Sequence, residues 1–281
     1  MFSGHPSTEW RTPSARNIAK YVAGAAEFLN NVGIFHTSAH SFSPSENYRI
    51  ERSFYIFQVY CSLFGQSKTP LPFDDQLDKF FKRFAPWENE QFACVHDFLL
   101  DELEPAFDEV ATHDVKFGDL SIHWAENDNS WLQGYVSCGL KFLEQVTTAS
   151  TYEERHRLLD NNLSLSSRSL PLIECLLESN GLYPEEPDGL DDQAMVKLRE
   201  LPSQYNSLDP NPGPAEIWFQ AHRGDDSSQY VAAVPHRTSR KVGYVMMDAS
   251  RKQDMARFDG TEESLAWDTS AHERLPSDIQ Y

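Results

Sequence analysis

Glycine, cysteine and basic residues are scarce in this chain of 281 residues, and each shortage excludes a class of function. Only 13 glycines are present, and neither a GxxxxGK[ST] sequence nor a glycine-rich turn before a helix occurs. A phosphate-cradling loop of the nucleotide-binding type is therefore not expected. The GxSxG and HExxH sequences are missing as well. We accordingly predict no catalytic residues, no cofactor and no metal site.

Basic residues are outnumbered by acidic ones, 24 Lys and Arg against 43 Asp and Glu, for a formal net charge of −19. Such a chain repels polyanions, which argues against nucleic acid and anionic membrane surfaces as partners. The longest apolar run, 54–64, is far shorter than the roughly 18 residues that a membrane span requires. Residues 1–16 are polar and show no secretory signal. We therefore expect a cytoplasmic or nuclear protein that is not secreted.

Four cysteines are present, Cys61, Cys94, Cys138 and Cys175, and no two of them form a CxxC pair. Each lies within an apolar run, which is typical of a buried free thiol that packs as a small hydrophobic residue. A disulfide framework is expected instead in smaller chains that are richer in cysteine.

Helical periodicity dominates the rest of the sequence. Ser43 to Glu46 reads as a capping box with a proline at the first helical position, and Thr151 to Glu154 reads as a second capping box. The helix that follows Ser43 runs to about Gly65 and is apolar on nearly all sides, so we expect it to be the central helix of the core. A single helix is predicted through the apolar stripe from 132 to 146.

The longest predicted helix runs from Trp87 to about Val115. Its apolar stripe faces the core, while Asp97, Asp101, Glu104 and Asp108 are predicted on the opposite, solvated face. Pro105 lies inside this helix and is expected to kink or split it, because proline removes a backbone donor.

The predicted fold class is all-α, an orthogonal array of six to eight helices. A flexible arm (1–13) precedes a helical domain (14–182), and a Pro-rich, partly basic C-terminal subdomain (183–267) packs on that domain before a tail (268–281). The stretches 230–234 and 242–247 have strand character, so the irregular C-terminal part admits one β-hairpin.

Three segments carry a family resemblance: Ile50 to Phe64, Ala85 to Leu99, and Gly243 to Asp248 followed by Ala-Ser-Arg. With them the chain resembles a large group of uncharacterised helical proteins of filamentous ascomycete fungi, over roughly residues 48 to 258. The group more often has tryptophan where this chain has Met247. The resemblance implies an intracellular fungal protein and carries no catalytic residue across.

Charge is segregated along the chain. Residues 86–120 hold ten acidic residues and one basic residue, a net charge of −9, whereas residues 235–258 have a net charge of +4. One hypothesis is that the basic segment docks on the acidic helix and lowers its self-repulsion. Another is that the acidic face receives a basic protein partner, since charge complementarity speeds encounter.

The leading functional interpretation is a non-enzymatic intracellular protein that acts through protein–protein contacts on its acidic helical face. The candidate binding residues combine the polar-aromatic start of the long helix with the acidic positions that follow: Trp87, Glu88, Glu90, Gln91, Asp97, Asp101, Glu104 and Asp108.

Two alternatives stay open. The pairs His96-Asp97 and His113-Asp114, with a distant Asp160, suggest a metal-dependent phosphohydrolase of the HD type, in which His and Asp from several helices bind the metal. The other alternative is a helical protein that binds a small molecule near Trp87 and Tyr60.

Overall fold

The computed structural model describes residues 42–65, 72–117, 130–166, 213–221, 240 and 243–251, and the regular elements within these ranges are all helical. The protein is therefore all-α, as the sequence predicts. The predicted arm, the predicted tail and the stretch 230–234 lie outside the described residues. The α-helices are α1 (Pro44–Tyr60), α2 (Phe73–Lys79), α3 (Pro86–His113), α4 (Ser130–Val136), α5 (Leu140–Thr148), α6 (Tyr152–Ser166) and α7 (Gly213–Ala221).

Helix α1 begins where the capping box predicts. The Ser43 hydroxyl accepts the Glu46 amide, and the Glu46 carboxylate accepts the Ser43 amide, so two backbone donors at the helix start are satisfied. The last predicted turn is a π-helix, Cys61–Gly65. Tyr55 is 50% exposed and Leu63 is 42% exposed, so this helix is buried on one side and not on nearly all sides.

The central helix of the described core is α3, which corrects the expectation for α1. Every residue from Pro86 to Leu99 is buried, and α3 packs against α1, α4, α5, α6 and α7. A helix surrounded in this way has no solvated face over its first four turns. The helix also continues without interruption through Pro105, which lies on an exposed side, where water can bond the carbonyl that loses its donor.

The helix predicted through 132–146 is two helices, because the chain turns at Gly139. Its φ of 90° is a left-handed conformation that glycine adopts without strain. Gln58 of α1 fills the space beside it, and the Gln58 side-chain oxygen accepts the Leu140 amide at 2.9 Å. At the start of α6 the Thr151 hydroxyl accepts the Glu154 amide, which is one of the two hydrogen bonds of the second predicted capping box.

The C-terminal stretch predicted as the second strand of a hairpin is a 3-10 turn, Tyr244–Met246, so that prediction is wrong. Gly243, with φ 63°, begins the turn, and the four residues from Tyr244 to Met247 are all buried. An apolar run of this length suits either a buried strand or a buried turn, and periodicity does not distinguish them. These residues join the same hydrophobic core as α1, α3 and α7.

The described part of the chain contains no helix that is both long and apolar enough to cross a membrane.

Candidate functional site

The structure divides the eight predicted binding residues into two groups. The five residues of the first group lie in the first half of α3 and are all buried: Trp87, Glu88, Glu90, Gln91 and Asp97. The second group lies further along α3, where Asp101 and Asp108 are half-buried and Glu104 is exposed. A single continuous acidic face is therefore not formed, and only the second group can meet a partner from solution.

Glu88 and Gln91 are used within the fold. One Glu88 oxygen accepts the Ala85 amide at 2.9 Å and caps α3, while the other pairs with Arg52 of α1 at 2.8 Å. The Gln91 side chain donates to the carbonyl of Val245 at 2.9 Å. These bonds fasten α3 to α1 and to the C-terminal turn.

A buried charged group connects α3 to the C-terminal region; we call Glu90, Asp97, Arg240 and Tyr244 the Arg240 cluster. The Arg240 Nε atom lies 2.8 Å from Asp97 Oδ2, and its Nη1 atom lies 3.7 Å from Glu90 Oε1. Glu90 and Asp97 share one face of α3 because they are seven residues, about two turns, apart. The prediction that Asp97 lies on a solvated face is wrong: it is 6% exposed.

The pKa values of the two carboxyl groups in the Arg240 cluster are shifted in opposite directions. Burial alone would raise the pKa of Asp97, but a hydrogen bond with His96 and the Arg240 charge outweigh it and lower this pKa to about 2. Burial raises the pKa of Glu90 to about 7, and the Arg240 charge and the Tyr244 hydroxyl offset this only in part. Arg240 is thus neutralised by Asp97, and Glu90 is close to half-protonated at neutral pH.

The surface group on α3 consists of Asp101, Glu104 and Asp108, which we call the acidic strip. The three residues are spaced by three and four positions and therefore share one face of the helix. Among the residues that the structure describes, the buried Oδ1 atom of Asp108 has no hydrogen-bond partner. Burial and the negative charge of Glu104 raise the pKa of Asp108 to about 7. By contrast, the neighbouring Glu109 pairs with Arg155 of α6.

The histidines and aspartates of the metal hypothesis do not converge. His96 is fully buried and lies against Asp97, and the ring of His113 bonds the Glu109 carbonyl. Asp114 instead pairs with His156 at 2.9 Å, and Asp160 pairs with Lys116 at 2.6 Å. Within the described ranges, no group of three or more His, Cys, Asp or Glu side chains is arranged to hold a metal ion.

Sequence reasoning missed Arg240 and His156 as partners of α3. The segregation of charge between residues 86–120 and 235–258 was the only signal for the first, and it did not single out one arginine. No local signal pairs Asp114 with a histidine 42 residues away.

The three described cysteines, Cys61, Cys94 and Cys138, are free thiols in buried surroundings. Burial raises the pKa of Cys61 and Cys94 well above their ordinary value and that of Cys138 to about 12. Since the thiolate is the reactive form, none of them is a nucleophile at neutral pH.

We expect these thiols to be inert towards a disulfide reagent such as Ellman's reagent in the native protein. In a Cys175→Ser variant, the native protein should release no rapid thionitrobenzoate signal, and denaturant should expose one equivalent for each remaining cysteine. A rapid native signal from any of the three would contradict their burial.

The chain shows no match to a protein-family model, to a curated protein or to a solved structure. Two arrangements on α3 remain as the basis for a function. The Arg240 cluster is closed to solvent and contains a buried ion pair. The acidic strip faces solvent and is able to receive a cation.

Proposed function

We propose that the protein is an intracellular, non-enzymatic binding protein that receives a positively charged protein segment on the acidic strip. The observation that carries the proposal is the repulsion between the exposed Glu104 and the half-buried Asp108, which share one face of α3. Two carboxylates placed in this way are stabilised by a cation that arrives with a partner. The free thiols and the resemblance to the fungal group support the intracellular setting.

Repulsion within the strip favours a cationic ligand. Glu104 lies one turn before Asp108, and like charges at this spacing destabilise a helix. A lysine or arginine placed between them would donate to Asp108 and cancel this repulsion. The remaining negative charge of the strip would speed the approach of such a partner.

The test is calorimetric titration with a short peptide of lysine, arginine and glycine at low salt. A Glu104→Gln/Asp108→Asn variant should bind it at least about 10-fold more weakly, a difference of about 1.4 kcal/mol. The matched control is Glu153→Gln/Glu154→Gln, which removes the same charge from exposed positions of α6 and should bind as the unaltered protein does. Equal weakening by both variants would show a nonspecific charge effect and contradict the proposal.

The same titration should depend on pH in one direction. A bound cation favours the ionised form of Asp108, whose pKa in the free protein is about 7. Binding therefore releases a proton, and the affinity should rise as the pH is raised from 6 to 8. In Asp108→Asn this dependence should disappear.

Neither alternative has a supporting observation of its own. The residues of the metal hypothesis are bonded to separate partners. Trp87 and Tyr60, around which a small-molecule site was predicted, are both buried. The Tyr60 ring is in contact with the rings of Phe64, Phe80, Phe81 and Phe92.

A further inference from the structure

We define the C-terminal segment as Arg240 with residues 243–251. At its contact with α3 the number of buried basic groups differs from the number of buried acidic groups. In the Arg240 cluster one guanidinium faces the carboxyl groups of Asp97 and Glu90, and all three side chains are almost fully buried. A single positive charge neutralises one carboxylate. A second ionised carboxylate would be an uncompensated charge in the core, which is strongly unfavourable.

Among the residues that the structure describes, the other groups that act on Glu90 do not supply a second positive charge. Cys94 lies one turn along α3 and Tyr244 lies on the C-terminal turn, and burial keeps both uncharged by raising their pKa values. The arginines of α1 are engaged elsewhere, because Arg52 pairs with Glu88 and Arg49 pairs with Asp248.

The two carboxyl groups also differ in their distance from Arg240. Asp97 is directly bonded to Arg240 at 2.8 Å and is in contact with His96, so it keeps the negative charge. Glu90 is fully buried and lies further from the guanidinium, at 3.7 Å.

We propose that Glu90 is a proton-binding site that couples docking of the C-terminal segment on α3 to pH. In the docked state, at a pH below neutral, Glu90 is a neutral carboxylic acid beside the Arg240–Asp97 ion pair. When the segment leaves, water reaches Glu90, which then ionises as an ordinary glutamic acid. Docking therefore takes up one proton from solvent, and the attachment weakens as the pH rises.

The pH range follows from the two states of Glu90. Its pKa is about 7 when the segment is docked and near the ordinary value of 4.5 when Glu90 is solvated. The stabilisation is complete below the lower value, is lost as the pH rises between the two values, and levels off above the higher one. Between pH 5 and pH 7.5 the docking equilibrium should fall by roughly 50-fold.

Amide hydrogen exchange at Tyr244–Met246 tests this coupling. The protection factors of these amides, corrected for intrinsic exchange, should fall by roughly 50-fold between pH 5 and pH 7.5 in the unaltered protein. Glu90→Gln is a permanently neutral replacement of similar shape and should show no such fall. Asp108→Asn is the matched control, because the pKa of Asp108 is also about 7 but this residue lies about five turns along α3 from Glu90 and outside the cluster. It should keep the fall.

A carbon-13 titration of glutamate side chains gives a second measurement, which reports the ionisation of Glu90 directly. One carboxyl carbon should titrate near pH 7, and its signal should be missing from Glu90→Gln. Protection factors that fall equally in the unaltered protein and in Glu90→Gln would overturn the proposal. So would a Glu90 carboxyl group that is already ionised at pH 5.

Discussion

Replacement of Arg240 by methionine is expected to destabilise the protein by about 3–5 kcal/mol, because it leaves the buried Asp97 carboxylate without its cation. Methionine fills a similar volume, so the loss reflects charge and not a cavity. Urea unfolding of the two proteins measures the difference in the free energy of unfolding. Asp97→Asn should be destabilising in the same way, although Glu90 is then available to ionise and replace part of the missing charge.

The double variant Asp97→Asn/Arg240→Met makes this prediction specific. With both charges removed, its loss of stability should be smaller than that of Arg240→Met alone. A matched control is Lys116→Met, which breaks an exposed ion pair with Asp160 and should change stability by less than about 1 kcal/mol. If the two single losses simply added in the double variant, the ion pair would not be what holds the segment.

The second large effect is expected at Glu46, where replacement by alanine should destabilise the protein by about 3 kcal/mol or more. This fully buried carboxylate accepts the amides of Ser43 at 2.8 Å and of Asp248 at 3.0 Å, and it pairs with Arg251 at 3.1 Å. One substitution therefore removes the carboxylate half of the α1 capping box and two bonds to the C-terminal segment.

The control for Glu46 is a glutamate at the same helical position of α6, whose carboxylate is exposed. Glu154→Ala in α6 changes the same residue type at the same helical position, but Glu154 is exposed, so a loss below about 1 kcal/mol is expected. Thermal or urea unfolding of both variants measures the two losses in the free energy of unfolding. Equal losses would mean that the buried bonds of Glu46, including those to Asp248 and Arg251, contribute little.

Glu46 and the C-terminal segment illustrate which contacts the sequence reveals and which it does not. The Ser43–Glu46 capping box was predicted because its partners lie three residues apart. That the same glutamate also accepts the Asp248 amide, 202 residues further along the chain, has no local signal. The strand predicted for 242–247 was wrong for a related reason: its residues are apolar because the core surrounds them, and an apolar run does not reveal the backbone conformation.

The candidate site was predicted in part. Acidic residues on the long helix were identified, and of these Glu104 is exposed while Asp101 and Asp108 are half-buried. Asp97 and Glu90 were assigned to the same site, but they are buried against Arg240. Helical periodicity shows which residues share a face of α3, and it does not show whether another segment covers that face.

The sequence by itself determined the all-α class and the starts of α1 and α6, because helical and capping hydrogen bonds join residues that are at most four positions apart. Only the tertiary structure decided that α3 is the central helix and which acidic residues are buried. The reason is physical: the charge of a buried carboxylate is tolerated only beside a partner, and the partner of Asp97 is 143 residues away.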